Sequence, residues 1–236
     1  MSKPVEQIEY IEPRPYFYVV GVDLGSVNDS TAITVLEVGR GWEILNQWPE
    51  GYSVPVELRR TPDAHFLVRV LHRPRLGTSY PRIIEQVNAI VEDLPGMAKK
   101  PIIVFDGTGL GAPVVQMARK SGLPDSISIA ITAGQTATLT GRNWSVPKAL
   151  LVGELRLAMH RNRLKVAAGF QARETLQTEL AVFHAKLSAS GRATFAAAGQ
   201  EHDDTVLSLS MAILAAKTRF GQDFDAAKVL GDWFAR

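Results

Sequence analysis

Apolar and polar positions along the chain change period several times, and those changes divide it into elements. From Tyr16 to Leu24, aromatic and β-branched residues run on to Gly25 and Ser26, the pattern of a buried strand that ends in a turn. Ser30 to Val38 predicts a second strand. Gly39, Arg40 and Gly41 predict a tight reversal, after which the alternation from Trp42 to Trp48 fits a half-exposed third strand. Three strands joined in this way make an antiparallel meander. A less regular stretch with several prolines follows. Ile83, Ile84, Val87, Ile90, Val91 and Leu94 then fall at helical spacing, with Pro81 in the first turn and Gly96 beyond the end.

Pro101 to Phe105 is short and wholly apolar, as expected of a central strand covered on both faces, and it runs directly into Asp106. Gly107, Gly109 and Gly111 predict a loop, Pro113 to Lys120 a helix, and Ser126 to Ile131 another strand. Helices are predicted over Val146 to His160 and Gln171 to Phe183. A hairpin joins Ala185–Leu187 to Ala193–Phe195, and a last strong helix spans Asp204 to Lys217. Meander, strand, helix, strand is the order of an α/β protein with a mixed sheet flanked by helices. No repeat or low-complexity segment interrupts it.

Composition narrows the chemistry. With 236 residues, 46% of them apolar, the chain has enough material for one substantial core. No apolar run approaches the roughly 20 residues of a membrane-spanning helix, and Met1 to Pro15 is polar and acidic, unlike a signal peptide. Cysteine is absent, so disulfides, a thiolate nucleophile and cysteine-bound zinc are excluded; any metal must be held by oxygen or imidazole. The net charge of +2 is too small to identify a polyanionic partner. Its distribution says more: Arg59, Arg60, Arg69, His72, Arg73, Arg75 and Arg82 form one basic stretch, and Arg142, Lys148, Arg156, Arg161, Arg163 and Lys165 a second.

Three acidic positions sit at the ends of predicted elements. Asp23 ends the first strand, Asp106 ends the central apolar strand, and Asp203 with Asp204 opens the last helix, preceded by His202. Taken singly, each aspartate has an ordinary reading as turn former or helix cap, and His202 as a solvated side chain. Taken together they place carboxylates at the edge of the sheet, where ligands of open α/β sheets bind. Like charges so close are unfavourable without a counter-ion, which divalent magnesium or manganese provides. Two such ions about 3.5–4 Å apart can clamp the attacking and leaving oxygens of a phosphodiester.

The run GVDLGSVNDSTAI, the strand IIVFDGTGLGAP, the segment VPKALLVGELRLAMHRNRLKVA and the block KLSASGRATFAAAGQEHDDTVLSLSMAILAA resemble, in that order, the nuclease domain of tailed-phage large terminases. LGTSYP at Leu76 to Pro81 is also similar to the family. The resemblance implies a ribonuclease H-like fold, an α/β mixed five-stranded sheet of antiparallel meander and parallel strands flanked by helices. It implies an N-terminal tail over 1–15, a nuclease domain over 16–217 and a C-terminal tail over 218–236.

Carried onto this chain, the catalytic metal ligands would be Asp23, Asp106 and Asp204, with Asp203 as alternate ligand and His202 in support. Two Mg2+ or Mn2+ ions would be the cofactors, and concatemeric double-stranded viral DNA the substrate. The two basic stretches add a further expectation, that Arg73, Arg75, Arg142, Lys148, Arg161 and Arg163 hold the DNA backbone across the acidic site. The partners implied are a terminase ATPase motor, the small terminase and the portal, in the host bacterial cytoplasm without membrane association. The chain has no GxxxxGK[ST] phosphate loop, because GTGLGAP lacks the required lysine and hydroxyl; the motor would therefore reside elsewhere. Three other readings fit parts of the pattern: a Holliday-junction resolvase-like nuclease, an actin-like ATPase sharing the VDLGS strand, and a non-catalytic DNA-binding packaging module.

Overall fold

The structure is a computed structural model, and it describes residues 17–25, 29–44, 58–95, 100–109, 111–167, 174–180 and 204–223. Its strands are β1 (Phe17–Asp23), β2 (Ala32–Ile44), β3 (Leu58–His72), β4 (Ile102–Asp106), β5 (Ile127–Thr132), β6 (Asn143–Pro147) and β7 (Leu164–Val166). Its helices are α1 (Tyr80–Glu92), α2 (Gly111–Lys120), α3 (Lys148–His160), α4 (174–180) and α5 (Asp204–Asp223).

All seven strands form one sheet in the order β6-β5-β4-β1-β2-β3-β7. β1 is buried along its whole length, which its unbroken apolar sequence allows only at a central position. It pairs antiparallel with β2 and parallel with β4, and the succession β3-β2-β1-β4-β5 with β2 antiparallel is the ribonuclease H-like arrangement. Five strands, the number expected, form the centre, and β6 and β7 extend the two edges.

Side-chain alternation splits the core in two. Phe17, Val19, Leu36, Val68 and Val104 face α3, α4 and α5. Tyr18, Val20, Val22, Ile33 and Phe105 face α1 and α2. Residues 204–216 of α5 are almost wholly buried, because sheet lies on one side of the helix and α3 on the other. Lys217 of α5 is hydrogen-bonded and ion-paired to Glu154 of α3.

The meander departs from expectation. Gly39, Arg40 and Gly41 do not reverse the chain; β2 continues through them to Ile44, and the pairing with β3 shifts register between Arg40 and Trp42. Glycines tolerate a bulge as readily as a turn, and here the bulge prevails. The third strand therefore comes from the proline-bearing stretch read as irregular. There Ala64, Phe66 and Val68 alternate inward, and Pro62 lies towards the strand's start, away from the stretch paired on both sides. The edge strands β6 and β7 are short and went unread. The predicted hairpin over Ala185–Leu187 and Ala193–Phe195 lies outside the described residues. α5 continues to Asp223 rather than ending at Lys217.

Candidate acidic site

Parallel pairing of β1 with β4 runs to Val22 opposite Phe105, so Asp23 and Asp106 are the next residues of two neighbouring strands. Both side chains leave on the α5 face. Asp23 lies two residues beyond Gly21, whose position for a Cβ falls 2.1 Å from the Ser208 carbonyl oxygen of α5. Asp106 likewise lies two residues beyond Val104, which packs in the α5-side cluster. Asp23 is buried and Asp106 half-buried.

α5 crosses this face in the opposite sense to β1. Phe17, at the start of β1, shares a cavity of about 910 Å³ with Ala215, Thr218 and Arg219, whereas Gly21 meets Ser208 and Ala212. Continuing along β1 leads to the first turn of α5, where Asp204 opens the helix in a buried position. A buried carboxylate there is favoured by the free N–H groups and positive dipole end of a helix N-terminus. The hydroxyls of Thr34 and Ser208, 2.6 Å apart, fix the helix start against β2. Three carboxylates thus occupy one edge of the sheet.

The surrounding groups hold them individually. Asp106 Oδ1 accepts the Thr108 backbone N–H at 2.8 Å, and Thr108 Oγ1 in turn accepts the Ile131 N–H. Gly111 at the start of α2 has no room for a side chain, because a Cβ there would lie 2.1 Å from the Asp106 carbonyl oxygen. Beside Asp204 stands Arg73, just past the end of β3: its Nη2 is 3.7 Å from Asp204 Oδ2 and 2.7 Å from Glu179 Oε1 on α4. Among the described residues, no three His, Asp or Glu side chains form a ready-made cation cage.

Glu179 was not singled out from the sequence. It lies in an ordinary amphipathic stretch, and only the fold brings it to Arg73. Asp203 and His202 lie outside the described residues.

The six basic candidates divide between the two ends of the sheet. Arg73 and Arg75 follow β3 at the acidic end, and Lys148 follows β6 at the same end, further along the sheet. Arg75 also lines a cavity of about 270 Å³ with Gly25, Asp29, Thr31 and Thr78, next to the loop after Asp23. Arg142, Arg161 and Arg163 are at the opposite end. Arg163 is level with Phe66, which lies level with Phe17 through β2, and Arg142 precedes β6 and pairs with Asp125 at 2.7 Å. These three thus stand apart from the carboxylates: Arg142 lies before β6 begins, and α3 carries the chain back across the sheet between Lys148 and Arg161.

No protein-family model and no curated protein matches the sequence. Among solved structures, the fold is similar to the large terminase nuclease from thermophilic phage G20c, with a TM-score of 0.47, 18% identity and 84% of each chain covered. It is also similar to Thermus thermophilus RuvC, with a TM-score of 0.31, 11% identity, and 87% of this chain and 97% of the other covered.

Proposed function

We propose that this chain is a metal-dependent endonuclease that hydrolyses phosphodiester bonds of double-stranded DNA. What supports this reading is that β1 and β4 end in Asp23 and Asp106 at the same end of a ribonuclease H-like sheet, and that α5, running antiparallel over β1, begins with the buried Asp204 towards that end.

The donor set fits a hard divalent cation: it is made of carboxylate oxygens, it lacks sulfur, and a positive group already stands beside Asp204. Asp23, Asp106 and Asp204 would be the holders. Magnesium or manganese bound there supplies the positive charge that lets a phosphodiester be attacked by water and release its 3′ oxygen. The protein's own part is placement. The Thr108 N–H fixes the Asp106 carboxylate, burial limits the freedom of Asp23, and the start of α5 orients Asp204. Arg75 and Lys148, on the same edge, would take backbone phosphates. Such contacts carry no base information, so cutting should have little sequence preference.

The motif resemblance supports a finer reading, in which the DNA is concatemeric viral DNA cut during packaging, alongside a separate ATPase motor, small terminase and portal. Nicking of supercoiled plasmid in Mn2+ or Mg2+ tests the activity. We expect nicking that stops in chelator and falls at least about a hundredfold in Asp23→Asn, Asp106→Asn and Asp204→Asn, the scale at which loss of one transition-state stabilising group is felt. Absence of metal-dependent nicking by the folded wild-type chain removes the proposal. Preference for four-way junctions over linear duplex redirects it to a resolvase.

A further inference from the structure

Arg73 was expected on DNA phosphates, yet its guanidinium lies between two carboxylates, 2.7 Å from Glu179 and 3.7 Å from Asp204. The side chain is 30% exposed, against 13% for Glu179 and 8% for Asp204, so the charge is largely inside the protein. Among the described residues, Arg73 Nε and Nη2 and Glu179 Oε2 are buried and make no hydrogen bond of good geometry. The guanidinium is thus held chiefly by charge, with donors left over. A charge held in this way is exchangeable, because little directional bonding is lost when it moves.

We propose that Arg73 is a resident counter-ion for Asp204 which a divalent cation displaces, and that Glu179 receives the guanidinium when it withdraws. This rests on the reading of Asp204 as a metal holder. Arg73 then serves as a positioning residue: it compensates the buried carboxylate before metal arrives, and its freed donors afterwards face the edge where the DNA backbone would lie. Two cations cannot share one small acidic position without repulsion, so arginine and metal compete. Glu179 acts in the opposite direction, because a second carboxylate on Arg73 loosens its hold on Asp204.

The opposed signs give the test. Mn2+ binding to the full chain is measured by titration calorimetry for wild type, Arg73→Gln, Glu179→Gln, the double variant and Asp204→Asn. We expect Arg73→Gln to bind Mn2+ about tenfold more tightly than wild type, within the ordinary range of coupling between sites. Glu179→Gln should bind more weakly, and the double variant should bind at least as tightly as wild type. Unchanged or weaker binding in Arg73→Gln, with Asp204→Asn abolishing it, overturns the competition and leaves the metal-site reading standing. A double variant as weak as Glu179→Gln overturns it too, since Glu179 would then itself be a ligand. Full Mn2+ binding by Asp204→Asn instead sinks the underlying reading. If Arg73→Gln does not fold, undiminished binding by Glu179→Gln alone overturns the proposal.

Discussion

At the residue scale, the carboxylates were legible because each marks an end. An aspartate directly after an apolar run must sit where the sheet stops, so Asp23 and Asp106 could be placed at an edge before any contact was known. The role of Arg73 was not legible. In sequence it is one of several neighbouring cations, and only the arrival of α4 and α5 gives it carboxylate partners. Tyr18 offers a prediction at this scale. Burial, and after it Glu37, push its phenol above the ordinary value near 10, with Arg69 opposing. A group whose pKa is raised on folding contributes stability that is complete below the unfolded value and lost as pH climbs through the folded one. Stability should therefore fall above about pH 10, and less steeply in Tyr18→Phe, as urea unfolding between pH 8 and 11 would show. Equal slopes for the two proteins would assign the alkaline loss to other groups.

At the scale of elements, the reading succeeded where periodicity was strong and failed where glycine or proline left two outcomes open. β1, β4 and α1 carry unbroken or strongly periodic apolar patterns with clear ends, and each lies close to its expected place, as does the start of α5. Gly39-Arg40-Gly41 permits both a reversal and a bulge, and the choice depends on whether β3 stands opposite to continue the ladder, which is long-range information. The contact between β1 and α5 is the element on which the acidic edge depends. Gly21 makes it possible, because the Ser208 backbone occupies the space of a side chain. Gly21→Ala should push α5 away and destabilise the fold by about 1–3 kcal/mol, the usual effect of overfilling a packed core. It should also weaken nicking at temperatures where the variant remains folded. Thermal unfolding with a parallel activity assay checks both, and a variant of normal stability would show that α5 can shift freely.

At the scale of the whole molecule, the sheet has two unlike ends. One gathers carboxylates with Arg73, Arg75 and Lys148; the other carries the large cavity with Arg142, and beyond it Arg161 and Arg163. If DNA lies across the acidic end, Arg75→Ala should weaken binding of a short duplex at low salt and reduce the slope of log affinity against log salt by about 1, one phosphate contact. Arg142→Ala should leave both unchanged. Fluorescence anisotropy over a salt series measures the difference, and an equal effect of the two substitutions would place the duplex elsewhere. Alternation of strands and helices suggested a two-faced sheet, but not which cations share an end, because that depends on how often the chain crosses it.

The hydroxyl pair Thr34 and Ser208 joins positions 174 residues apart, tying the last helix to the opening hairpin. A contact this distant in sequence can form only after both of its ends have been synthesised. During synthesis Asp23 and Asp106 therefore emerge well before Asp204. If the three act as proposed, the acidic end stays incomplete until α5 has docked, so the growing chain could not yet cut DNA.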